Sequence, residues 1–89
     1  MAAIYPLRIV TPEENVFDQE IESLIAPGAL GYLGVLAHHA PLLTGLTQGK
    51  LTVRDAKGTT HLFQVDGGIL EVSEGGTTIL AEKIERMAE

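Results

Sequence analysis

Three kinds of side chain in this 89-residue sequence are able to do chemistry, and their spacing decides whether they do. The histidines come first. His38 and His39 are adjacent, so in an extended segment they point to opposite faces and chelate one ion poorly. A metal site would need His61 and a carboxylate folded in beside one of them, the kind of donor set that zinc takes. The plainer reading is a hydrogen-bonded loop histidine. Paired carboxylates come next: Glu20 and Glu22 share a strand face, and Glu13 and Glu14 share a turn. Such pairs act as acid and base when burial splits their pKa values. Nothing apolar enough flanks them in sequence, and a solvated face is the reading preferred. Last, Gly45-Leu46-Thr47-Gln48-Gly49-Lys50 partly matches a phosphate-binding loop. Its spacing is one residue short, Leu51 stands where a hydroxyl should hold magnesium, and no helix follows. Gly28, Gly31 and Gly34 fail the dinucleotide spacing, and no nucleophile elbow is present. No catalytic constellation emerges, and no cofactor is expected.

The elements that must carry these residues read as short strands. Tyr5, Leu7 and Ile9 alternate with outward Arg8, the period of a half-buried strand. Pro6 cannot donate to a ladder, so this strand is expected at an edge or joined on one side near Pro6. After a turn at 11–15, Val16-Phe17 and residues 21–26 read as two more strands. Residues 42–46 read as a buried strand. Leu51 and Val53 alternate with Lys50, Thr52 and Arg54, and Asp55-Ala56-Lys57-Gly58 supplies a hairpin turn. His61, Phe63 and Val65 share the next face, and Gly67-Gly68 interrupts as a bulge or corner would. Leu70 and Val72 resume the pattern, Glu74-Gly75-Gly76 turns the chain, and 78–81 closes it. Short strands at this spacing indicate a sandwich or barrel. Residues 81–89 are instead good helix formers, with Glu82 and Arg86 spaced for an ion pair, although nine residues are too few for a stable lone helix.

Composition narrows the partners. There is room for one domain, expected over 1–82 with a tail at 83–89. No cysteine is present to form a disulfide or hold zinc, so packing must supply the stability. The formal net charge of −6 opposes a phosphate backbone, and nucleic-acid binding is not expected. No apolar run reaches the ~20 residues of a membrane span. The start, Met1-Ala2-Ala3-Ile4-Tyr5-Pro6, lacks the regions of a signal peptide. One stretch stands out: Ala29-Leu30-Gly31-Tyr32-Leu33-Gly34-Val35-Leu36 carries no charge. Either it packs inside, or part of it forms an apolar contact patch.

Several segments, in order, carry a resemblance: Val16-Phe17-Asp18, Ile25-Ala26-Pro27-Gly28, Gly31-Tyr32-Leu33-Gly34-Val35-Leu36, His39-Ala40-Pro41-Leu42-Leu43-Thr44 and Asp66-Gly67-Gly68-Ile69-Leu70-Glu71-Val72. With Ile79-Leu80-Ala81 they resemble the epsilon subunit of the rotary F-type ATP synthase, from about Tyr5 to Ala81. The resemblance implies an all-β, flattened sandwich of about ten short strands. It implies a non-catalytic place in the central stalk of a proton-translocating synthase, peripheral to the cytoplasmic face of a bacterial inner membrane. The partners implied are the gamma subunit and the polar loops of the c-ring. Carried over, His39, Ala40, Pro41, Leu42 and Leu43 match the segment facing gamma, and Gly31 and Tyr32 match the loop meeting the ring. Tyr32 stands where the family commonly has an acidic residue, and Ala37-His38 stands where it commonly has Pro-Gly. The family usually continues into a regulatory C-terminal helical hairpin; a sequence ending at Glu89 is either a naturally short form or a cut domain, and regulation by that hairpin is not claimed for it. The alternative reading is a free-standing sandwich that binds a small ligand or metal.

Overall fold

Apolar residues at every second position dictate strands here, and a computed structural model describes how they pair over residues 3–87. Seven strands follow in order: β1 (Tyr5–Val10), β2 (Asn15–Gly28), β3 (Gly31–Leu36), β4 (Leu42–Asp55), β5 (Thr60–Ser73), β6 (Gly76–Ala81) and β7 (Ile84–Met87). Strand β1 pairs antiparallel with β2 and parallel with β6. Antiparallel ladders then run from β6 to β5, β5 to β4 and β4 to β2, so the path returns to β1 and closes on itself. Closure leaves few unpaired edges for another chain to extend. Pro6 pairs only toward β2, opposite Glu20, because the β6 ladder begins one residue later at Leu7. Its missing donor therefore costs nothing on the β6 side.

The expected ten short strands are corrected to seven. Residues 16–17 and 21–26, 42–46 and 50–54, and 61–65 and 70–72 are halves of three single fourteen-residue strands, β2, β4 and β5. Each half serves a different layer. One layer joins β1 and β6 to the first half of β2, the first half of β4 and the second half of β5. The other joins β3 and β7 to the remaining halves. Counted by layer, three strands appear twice, so residues that look like strand ends are bends.

Gly68 shows how a bend is made. It sits at φ 141°, and a Cβ there would strike the backbone carbonyl oxygen of Leu80. Only glycine lets β5 lie this close to β6 while it turns from one layer to the other.

The helix-prone tail is the second correction. Residues 84–87 form β7, which pairs antiparallel with β5 from Val65 opposite Ile84 to Leu62 opposite Met87. The open edge of β5 supplies backbone partners that a nine-residue segment cannot supply for itself. Between β6 and β7 the ladder is bridged at 3.0 Å from Glu82 N–H to Gly67 carbonyl and at 2.9 Å from Asp66 N–H to Lys83 carbonyl. Met1, Ala2, Ala88 and Glu89 lie outside the described residues, and with them both ends of the segments read above.

The core lies between the layers. Leu7, Ile9, Ile21, Leu24, Leu51, Val53, Phe63, Val65, Leu70 and Ile79 are fully buried there. Phe17 meets Phe63 edge to face at 6.1 Å between ring centres. That arrangement places the positive edge of one ring on the negative face of the other.

Candidate docking interface

Residues 39–43 leave a tight turn and enter β4. The turn is closed by His39 N–H donating to the Leu36 carbonyl at 3.2 Å, with His38 at φ 67° in its third position. That is the place for glycine in a type II turn, so Ala37-His38 keeps the geometry that Pro-Gly favours, at some strain. The His39 ring folds back locally, its Nδ1 donating to the Ala40 carbonyl at 2.7 Å. His39, Ala40 and Pro41 are exposed, Leu42 is half-buried, and Leu43 is 71% exposed. Part of this segment, 39–41, walls a cleft of about 370 Å³ with Tyr5, Val72 and Thr77.

The outward face does not stop at Leu43. Gly45 pairs with Ile69, Ile69 with Leu80, and Leu80 with Val10, one row across four strands. Ile69 is 45% and Leu80 51% exposed. Gly45 brings no side chain, which leaves the flank of Ile69 open, while the exposed Glu71 stands opposite Leu43 in the neighbouring row. The row also lines a groove of about 370 Å³ with Pro12 and Glu82. Exposed apolar side chains in a contiguous band are the mark of a surface that docks. Sequence reasoning missed Ile69 and Leu80. The signal was there: Ile69-Leu70 and Ile79-Leu80-Ala81 are consecutive apolar residues, and a strand has only one side to bury against the core.

Gly31 and Tyr32 sit at the other end of β3, about 17 Å and about 13 Å from Leu36 at strand spacing. The structure does not bring them to residues 39–43. Beside them Leu30, within the uncharged stretch noted in the sequence, is completely exposed in the hairpin turn. Tyr32 is exposed, but its hydroxyl is engaged: it accepts from Lys50 N–H at 2.9 Å. A Cβ on Gly49 would lie 2.6 Å from that hydroxyl and 2.8 Å from Pro27 Cβ. Gly49 is therefore what lets the ring reach across the hairpin to β4. The uncharged stretch 29–36 thus divides, with Val35 buried, Leu33 half-buried, and Leu30, Tyr32 and Leu36 outward.

Among the described residues the remaining polar groups make no reaction centre. His61 does meet a carboxylate, its Nε2 2.8 Å from Asp55 Oδ2, but His38 and His39 stand on the loop before β4. Among the described residues no cluster of three or more metal-ligating side chains occurs. Asp55 is 5% exposed, and its Oδ1 accepts from the N–H groups of Lys57 and Thr59, both at 2.9 Å. The His61 hydrogen bond, with those two N–H bonds, holds its carboxyl below the ordinary 3.8 against the opposing effect of burial. Glu22 pairs with Arg54 at 3.3 Å, and Glu20 faces solvent.

A small closed β module with two exposed apolar regions has the form of an interaction domain. Its sequence says which kind: residues 5–87 match the family described as ATP synthase, Delta/Epsilon chain, beta-sandwich domain, and the chain belongs to that family. It is 49% identical over 83% of its length to an ATP synthase epsilon chain of Caulobacter vibrioides, 85% of which it covers. It is 43% identical over 97% of its length to an ATP synthase epsilon chain of Protochlamydia amoebophila, and spans 58% of that relative. In fold it is similar to a chain of the Euglena gracilis mitochondrial ATP synthase, OSCP/F1/c-ring, with a TM-score of 0.88 at 22% identity, covering 97% of this chain and 55% of that one. A chain of the Tetrahymena thermophila mitochondrial ATP synthase central stalk and c-ring gives 0.76 at 19% identity, covering 94% and 67%.

Proposed function

We propose that this chain is a central-stalk component of a rotary ATP synthase. It docks on the gamma subunit, meets the polar loops of the c-ring, and helps couple proton flow to ATP synthesis at catalytic sites on other subunits. It is held at the cytoplasmic face of a bacterial inner membrane through the complex. The observation that carries this reading is the exposed apolar band of Leu43, Ile69 and Leu80, next to His39, Ala40 and Pro41. A band of this kind calls for a partner surface, and the family to which the chain belongs supports a stalk subunit as that partner. The hairpin end at Leu30, Gly31 and Tyr32 is the proposed ring contact. Its chemistry is an apolar tip and an aromatic face, in place of the acidic group the family commonly has there.

Coexpression with gamma tests the proposal. Co-purification is expected, and Leu43→Asp or Leu80→Asp is expected to weaken it by about 2 kcal/mol or more if either anchors the interface. Lys57→Asp, in the exposed turn between β4 and β5, is the control and is expected to have little effect. Leu42 is a poorer probe than Leu43, because it is half-buried and an aspartate there would damage the fold. Failure to co-purify, or equal effects at all three positions, overturns this placement of the interface.

A further inference from the structure

Strand β7 is held by a polar relay that nothing in the docking function requires. It pairs with one strand only, over four residues, and Glu85, Arg86 and Met87 are exposed. So short a ladder on one side is marginal, and a single side-chain contact weighs heavily in it. The contact is Arg86 Nη1, 3.1 Å from His61 Nδ1. The same guanidinium lies 4.8 Å from the centre of the Phe63 ring. On its other side His61 directs Nε2 at Asp55 Oδ2, 2.8 Å away.

Donor and acceptor roles in this chain are not free. The Asp55 carboxylate accepts only, so Nε2 of the ring must carry a hydrogen. An arginine donates only, so Nδ1 must be bare to receive it. One state of the imidazole meets both demands, the neutral ring with its hydrogen on Nε2. Asp55 cannot swing to take the arginine instead, because its other oxygen is fixed by the N–H groups of Lys57 and Thr59. The groups that face the ring are Asp55 from β4, Arg86 from β7 and the Phe17 ring from β2, whose centre is 5.2 Å away.

We propose that Asp55, His61 and Arg86 form a proton-operated latch that fastens β7 to the sandwich. A proton added at Nδ1 replaces the lone pair that Arg86 uses and sets two cations against each other, while the bond to Asp55 persists. The ring then serves β4 alone. Arg86 keeps only its place over Phe63, and β7 loosens. Acid opens the latch and neutral solution closes it.

Amide exchange in the purified full chain, followed by NMR and corrected for intrinsic rates, reads the latch directly. Between about pH 7.5 and about pH 5.5, the range in which histidine is the side chain suited to change charge, protection at residues 85–87 is expected to fall. The fall expected from an exposed charge contact is about fivefold. His61→Gln removes the titrating group and is expected to abolish the step. Should that variant fail to fold, Arg86→Gln removes the opposing cation and is expected to abolish it too. Constant protection in the unaltered chain, or the same step in the variants, overturns the proposal.

Discussion

The hydroxyl of Tyr5 donates to the backbone carbonyl of Val35 at 2.6 Å, and so ties the first residue of β1 to the end of β3. The two strands lie end to end along one side of β2, Tyr5 opposite Ile21 and Leu36 opposite Ser23, with no backbone ladder of their own. Burial pushes the Tyr5 hydroxyl up to about 12 from 10.0. A raised folded value means that the contribution is whole below pH 10 and is lost as pH climbs toward 12. Tyr5→Phe is expected to cost about 1–2 kcal/mol, since it leaves the Val35 carbonyl without its partner. It should also flatten the alkaline limb of a melting-temperature profile, which checks the sign.

Asp55 governs the acid side. Its folded pKa is depressed by His61 and the turn N–H groups, so its contribution is present above the ordinary carboxylate value and fades as pH falls through the lower folded one. Melting temperature is expected to drop on acidification below about 3.8. Asp55→Asn is expected to start less stable at neutral pH and to lose less over that window. Parallel acid limbs for the two proteins would contradict the assignment.

His38 pays for its left-handed backbone. His38→Gly is expected to stabilise the domain by about 0.5–1 kcal/mol, the left-handed penalty less the greater chain entropy of glycine. His38→Ala keeps the β-carbon and should gain little. Denaturant midpoints of the three proteins make the comparison.

Gly68 admits no such exchange. Gly68→Ala combines a disfavoured φ with a collision against the Leu80 backbone, neither of which a side-chain movement relieves. A loss of about 2–4 kcal/mol is expected in chemical denaturation. Gly75→Ala is the contrast, because a β-carbon there meets nothing within 4 Å.

The strand faces were largely legible in the sequence. Alternation placed Tyr5, Leu7 and Ile9 inward, and likewise Leu51, Val53, Phe63 and Val65, and all are buried. The hairpin turn at 55–58 and the corner at Gly67-Gly68 were legible as well. What periodicity could not tell was whether such a residue ends a strand or bends it. That depends on the partner ladder beyond, as when Leu46 pairs with Gly68 and Gln48 with Asp66 in one register across the corner. The β7 assignment failed for a related reason: residues 81–89 favour helix locally, and the vacant β5 edge that outweighs this is twenty residues away in sequence. Of the proposed contact residues, 39–43 and 31–32 were reached by resemblance. Ile69 and Leu80 were readable from their apolar neighbours. The burial of Asp55 was not, because a turn aspartate gives no sign of a histidine six residues on that draws it inward.

The passage of β2, β4 and β5 through both layers has a mechanical consequence. A pair of sheets held only by side-chain packing has a slip plane, and shear across it is resisted by contacts that exchange partners cheaply. Here three continuous strands cross that plane. A twist applied at Leu43 and Ile69 enters β4 and β5 directly and arrives at β3 and β7 through covalent bonds and ladders, without relying on interlayer friction. In the stalk position proposed above, such a domain would serve as a rigid key between its two partners.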